Sequence, residues 1–181
     1  ISPQQMKAIS EGLIKEGTNL DWWCMARLDP GFTPEILKFA FRAGCFEIVF
    51  GFETASNRLL KFLNKGANKE NALRIIKDCY NAGISVKLQT VLGFPSETIE
   101  EAMDTISFLI ENAQFIRGPA FNTYYLTPGN EIYNNPKEFG ISFKKDPRLP
   151  FIFFHEYEHI TGEVTSDLAK NFRSIYSELI E

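Results

Sequence analysis

The chain has 181 residues, of which 44% are hydrophobic, 14% aromatic and 23% charged, enough apolar side chain to build one sizeable core. That composition excludes disorder, collagen-like repeats and low complexity. Nineteen Lys plus Arg against 23 Asp plus Glu leave a formal net charge of -4, which is no strong signal for a domain that neutralises phosphate backbones.

Ser2-Pro3-Gln4-Gln5 combines an N-cap, a proline at the first helical position and a glutamine three residues after the cap, so it predicts a helix. Met6, Ile9 and Leu13 mark its apolar face and Gly17 its end. Residues 22–26 are short, apolar and bounded by polar neighbours, which predicts a strand buried on both faces. Thr33-Pro34 opens a second helix with Ile36, Leu37, Ala40 and Ala43, stopped by Gly44. A second strand is predicted over 46–50. Ser56 then caps a short helix that closes at Gly66, and Asn68 caps a longer one, with Ala72, Ile76, Cys79 and Tyr80, that closes at Gly83. The third strand is predicted over 84–92. Thr98-Ile99-Glu100-Glu101 is a second capping box, and it opens a helix with a long stripe of Ile99, Ala102, Ile106, Leu109 and Ala113. Residues 121–126 complete the set of strands, residues 130–150 are rich in Pro, Asn and Lys, and residues 166–180 have the pattern of a last helix.

Strands alternating with amphipathic helices imply crossovers and a parallel sheet, so the fold class is α/β. About four parallel strands with outer helices are half of an eight-stranded barrel, which takes about 250 residues. The expectation is therefore a partial (β/α) barrel over residues 1–130, followed by a loop-rich extension with a C-terminal helix over 131–181. No apolar run approaches the roughly 18 residues of a membrane-spanning helix. The first residues lack an initiating Met, a basic leader and an apolar signal core, which points to a cytoplasmic protein and to an excised piece of a longer chain. Cys24, Cys45 and Cys79 are odd in number and widely spaced, as expected of buried thiols in a reducing compartment and not of a disulfide framework or a zinc knuckle.

Ligands of parallel α/β sheets bind beyond the carboxyl ends of the strands. The residues there are Arg27-Leu28-Asp29, Gly51-Phe52-Glu53-Thr54, Gly93-Phe94-Pro95-Ser96 and Thr127-Pro128-Gly129. Each has a purely structural explanation as a rim pair or a turn, but charged residues and glycines at four strand ends together favour a site.

Several of these segments resemble one family in order and kind. The run of Gly44 through Thr54, then Leu60, Asn64-Lys65-Gly66, Ala82-Gly83-Ile84 and Leu92-Gly93-Phe94-Pro95-Ser96-Glu97-Thr98, is similar to the later half of a radical S-adenosylmethionine (SAM) domain. Residues 22–27 and Pro128-Gly129-Asn130 also fit the cobalamin-dependent and related members. The resemblance covers about residues 1–135 and implies an enzyme that reductively cleaves SAM for radical chemistry on an unknown substrate. It implies SAM and a 4Fe-4S cluster as cofactors, and leaves cobalamin open for the parent enzyme. It places Glu53 at the end-of-strand polar position that contacts SAM, Lys65 at the position that pairs with the methionine carboxylate, and Gln89 facing the ribose. Val91, Leu92 and Gly93 would flank the adenine, and Arg27 would stand at the rim. Gln89 departs from the acidic residue of some relatives. The family's CxxxCxxC cluster loop is missing, so the chain by itself is expected to be inactive and to supply neither catalytic nor metal-ligating residues.

Two other classes compete with this reading. One is a stand-alone α/β module that binds a ligand or a protein without a cluster. The other is a zinc hydrolase, because His155-Glu156-Tyr157-Glu158-His159 matches H-E-x-x-H, with Glu178 as a distant third ligand. Against zinc, the aromatic run at 151–154 reads as a strand, which would hold the histidines too far apart for one metal. Finally, the strand at 22–26 has no charge or proline to blunt an edge, which leads to an expectation of self-association there.

Overall fold

The computed structural model describes residues 1–63, 66, 68–143, 155, 157–160, 168, 171 and 172. Among them the α/β order expected from the sequence is present: α1 (Pro3–Lys15), β1 (Trp22–Arg27), α2 (Pro34–Arg42), β2 (Cys45–Glu53), α3 (Asn57–Phe62), α4 (Lys69–Ala82), β3 (Ser85–Leu92), α5 (Ile99–Glu111) and β4 (Gly118–Thr123). Short pieces follow, namely α6 (Glu131–Asn134), β5 (Ile141–Ser142) and β6 (Glu158–His159). Four parallel strands form one sheet in the order β1-β2-β3-β4, as sequential βα units place each new strand beside the last. No closed barrel forms among the described residues.

Local chemistry sets the helix starts. Ser2 Oγ accepts the Gln5 N–H at 3.2 Å while the Gln5 side chain accepts the Ser2 N–H at 2.8 Å, and Thr98 and Glu101 make the same reciprocal pair ahead of α5 at 3.2 and 3.1 Å. Thr33, Ser56 and Asn68 each accept a first-turn N–H of the helix they precede. Caps of this kind are worth about 1 kcal/mol each. The strand bounds move more: β2 runs three residues beyond the expected end, β4 begins three residues earlier than expected, and the segment after Pro128, expected to be loop-rich, contains α6 and β5. Of the expected last helix, only residues 168, 171 and 172 are described, and they are helical.

The chain forms two compact units, one of residues 1–90 and 104–120, the other of residues 91–103 and 121–181. In the first, parallel register aligns Trp23 with Glu47 and Ser85, Met25 with Val49 and Lys87, and Arg27 with Gly51 and Gln89. The alternate positions, Ala26, Ile48, Phe50, Val86 and Leu88, are buried with Leu37, Ala40, Ile75, Ile76 and Cys79 from α2 and α4 among the core residues. Phe32 meets Phe50 edge-on at 5.8 Å. The opposite face is not buried along β1: Trp23 is 56% and Met25 51% exposed. The expectation that this strand is covered on both faces is therefore corrected to burial of alternate residues, the pattern of a strand with one face on a core. On that open face Glu47 is buried, its carboxylate 3.1 Å from Lys87 Nζ and 3.6 Å from the Arg117 guanidinium.

In the second unit, Leu126, Ile132 and Ile141 form a small core with Tyr124, Tyr133, Phe139, Phe143 and Tyr157 packed against it. β5 and β6 pair antiparallel, and His155 bridges to Leu126. No described helix is long and apolar enough to cross a membrane.

Candidate functional site

The row Arg27–Gly51–Gln89 crosses the carboxyl ends of β1, β2 and β3. At strand spacings of about 4.8 Å these three positions span about 10 Å. Immediately after it the ladder slips: Gly51 pairs with Gln89, but Glu53 pairs with Thr90, leaving Phe52 as the extra residue of a β-bulge. Phe52 turns into the core, 1% exposed, and stacks on Phe108 at 4.8 Å. Glu53 then adopts φ +66°, a conformation that costs a residue with a side chain about 1–3 kcal/mol. Its carboxylate folds back over Gly51, where a Cβ would lie 2.9 Å from Glu53 Oε1. The absence of a side chain at Gly51 thus leaves a notch in the middle of the row, and the Glu53 carboxylate fills its rim.

Loop 54–56 is fixed from behind. Thr105 Oγ1 accepts the Ala55 N–H at 3.0 Å and shares a 3.1 Å hydrogen bond with the Thr54 hydroxyl, and Thr54 Oγ1 accepts the Ser56 N–H at 3.1 Å. Thr54 and Thr105 are fully buried. Nothing in the sequence pattern singled out Thr105, because its partners lie 51 and 50 residues away. The β1 end is likewise held by side chains: Asp29 accepts the Gly31 N–H at 2.8 Å, and Arg74 donates to the carbonyls of Pro30 and Phe32 at 2.9 and 3.0 Å.

Arg27, Glu53 and Gln89 are therefore brought to one end of the sheet, Arg27 exposed and the other two half-buried. Lys65 lies outside the described residues. Val91, Leu92 and Gly93 belong to the second unit, at the end of β3. There Tyr124 N–H donates to Leu92 O at 2.9 Å, and Gly93, with φ +85°, donates its N–H to Glu97 Oε2 at 2.7 Å. The Tyr157 hydroxyl donates to Gly93 O at 2.6 Å, and burial pushes its pKa above the usual phenol range. Glu97 and Tyr157 lie within motifs named from the sequence, which did not anticipate these contacts with Gly93. Tyr157 is the middle of the H-E-x-x-H string, whose expected role was metal binding if any. His155 sits in a bridge between the rings of Tyr133 and Phe143, at 5.3 and 5.6 Å, and His159 lies on β6. Neither histidine is helical, and at a rise of about 3.3 Å per residue extended backbone would separate them by roughly 13 Å.

The cysteines do not fit an iron-sulfur cluster. Cys24, Cys45 and Cys79 do not have the CxxxCxxC spacing, and Cys45 and Cys79 are fully buried; the neighbouring Cys24 thiol and burial push Cys45 up, burial pushes Cys79 up, and the hydrogen bond with Cys45 lowers Cys24. Cluster ligands are thiolates. No group of three or more His, Cys, Asp or Glu among the described residues is arranged to hold a metal ion. Anaerobic iron and sulfide reconstitution of these 181 residues is expected to give no cluster absorption after desalting. A stable brown protein whose colour is lost in Cys24→Ser would contradict this.

The donor set at the strand ends does fit SAM. A carboxylate, a carboxamide and a guanidinium around a side-chain-free notch match a ligand that carries an ammonium group, a diol and a carboxylate.

Comparison with known proteins bears on the family and the fold. The family model of the radical SAM superfamily matches residues 13–109, just over half of the chain. The chain is 32% identical over 111 residues to an uncharacterized methyltransferase of Pyrococcus horikoshii, covering 59% of this chain and 24% of that protein. It is 24% identical over 178 residues to the bacteriochlorophyllide d C-12(1)-methyltransferase of Chlorobaculum tepidum, covering 98% of this chain and 38% of that protein. It thus spans 24% and 38% of the lengths of these two relatives. The structure of the radical SAM methyltransferase TsrM from Kitasatospora setae, with cobalamin and a 4Fe-4S cluster bound, superposes with a TM-score of 0.59 at 19% identity, over 80% of this chain and 30% of that one. At that identity the likeness is one of fold. The match over residues 13–109 establishes the family: the chain belongs to the radical SAM superfamily.

Proposed function

We propose that this protein binds SAM at the carboxyl ends of its parallel strands and serves a radical SAM enzyme whose reaction class is methyl transfer. The observation that carries the binding reading is the Glu53 carboxylate seated over Gly51 in the row Arg27–Gly51–Gln89. Glu53 would accept hydrogen bonds from the ligand's ammonium group and Gln89 would pair with its diol, while Arg27 stands at the rim. Lys65 keeps the role that the resemblance implies, a cation for the methionine carboxylate. When bound, SAM supplies a sulfonium that an external electron can cleave. The methyl-transfer class is supported by the two relatives named as methyltransferases. Cobalamin in TsrM supports a cobalamin-dependent parent.

Equilibrium dialysis against labelled SAM tests the binding reading, with Glu53→Ala beside the wild type. Saturable one-to-one binding weakened about tenfold or more in the variant is expected, since a hydrogen bond to a charged group contributes about 1.5–3 kcal/mol. Equal binding by both proteins would overturn the assignment of Glu53, and no saturable binding by the wild type would overturn the reading as a whole.

A further inference from the structure

The left-handed backbone at Glu53 has to be held by its surroundings, and both of its flanks are held by one helix. On one side Phe52 is stacked by Phe108, and on the other Thr54 and Ala55 are tied to the Thr105 hydroxyl. Thr105 and Phe108 are three residues apart on α5 and so share one face of the helix. We propose that Thr105 is a positioning residue for the Glu53 carboxylate, acting through loop 54–56 to keep it over the Gly51 notch. This rests on the reading of Glu53 as a SAM contact and adds the element that controls it.

The physical argument is one of constraint. Thr54, Ala55, Ser56 and Thr105 are all buried, so water does not replace a lost partner in this network. If Thr105 is deprived of its hydroxyl, Ala55 N–H loses its acceptor and the Thr54 hydroxyl loses its neighbour. Loop 54–56 is then free to move until those groups find water. Glu53 relaxes with it towards extended backbone, which swings its carboxylate away from Gly51. Phe108 alone fixes only the preceding residue.

Thr105→Val removes the hydroxyl and keeps the shape, while Thr105→Ser keeps the hydroxyl and removes a methyl. SAM affinity measured on the full chain is expected to fall about tenfold in Thr105→Val, the size of one hydrogen bond, and to stay within about twofold of wild type in Thr105→Ser. A role in packing alone would instead weaken both variants alike or spare Thr105→Val. Either of those results would overturn the proposal. Amide hydrogen exchange at Ala55, read without ligand, is expected to speed up in Thr105→Val and not in Thr105→Ser. Unchanged protection in Thr105→Val would also overturn it. Should wild type fail to bind SAM, the SAM reading falls, while the exchange arm still decides whether Thr105 fixes the loop.

Discussion

Gly51→Val is expected to lower SAM affinity by at least about tenfold, about 1.4 kcal/mol, while leaving the thermal midpoint within a few degrees of wild type. Valine suits a strand, and Gly51 pairs normally with Arg27 on one side and Gln89 on the other. What the new side chain meets is the tip of another, because its Cβ would lie 2.9 Å from Glu53 Oε1 and 3.9 Å from the same carboxyl carbon, with no backbone atom inside 4 Å. A flexible carboxylate can move aside at small cost to the fold. It then no longer lies over the notch, and the branched side chain fills the space between Arg27 and Gln89. Titration with SAM beside a melting curve separates the two effects. Unchanged affinity would show that the notch is not part of the binding site.

The largest effect on stability is expected at the other end of the same strand. Gly44 precedes β2 with φ +91°, and a Cβ there would lie 1.9 Å from the carbonyl oxygen of Leu20 and 3.0 Å from its carbonyl carbon. Both are backbone atoms, so no side-chain rotation relieves the contact, and the conformation is itself unfavourable for alanine. Gly44 O also accepts the Trp22 N–H at 2.9 Å, and the Trp22 indole N–H donates to Ala43 O at 2.8 Å. Moving the turn therefore disturbs the start of the β1–β2 ladder. Gly44→Ala is expected to cost more than about 3 kcal/mol, a large part of the 5–15 kcal/mol typical of a whole domain. The midpoint should fall by roughly 6–12 °C. Gly12→Ala within α1, where nothing lies within 4 Å of the added Cβ, is the control and should stabilise by about 0.5–1 kcal/mol. Equal melting of Gly44→Ala and wild type would contradict this reading of the turn.

The elements that short-range chemistry controls were legible in the sequence. Ser2, Thr33, Ser56, Asn68 and Thr98 cap the helices they were expected to cap, because a cap and its partner lie within three residues of one another. Alternating strands and helices gave the parallel order, the expected strand ends placed Arg27 and Glu53 at one end of the sheet, and the family resemblance added Gln89. The bulge at Phe52 was not legible, since the register slip depends on Phe108 offering a ring to stack on. Thr105 was not singled out by the sequence pattern, for its partners lie 51 and 50 residues away. His155 and His159 showed the opposite difficulty. Their spacing suits a helical metal site, but the segment pairs with Leu126 and with Ile141–Ser142, and that pairing uses residues outside the motif.

The central claim is that SAM binds at the strand ends around Gly51. Proton–nitrogen NMR spectra of the labelled chain during titration with SAM test it most directly. The account predicts saturable shifts centred on the amides of Arg27, Gly51, Glu53 and Gln89, with the N-terminal ends of the same strands, Trp23, Glu47 and Ser85, unmoved. Shifts centred on Trp23, Glu47 and Ser85 instead, or no saturable shift at Gly51 and Glu53, would contradict it.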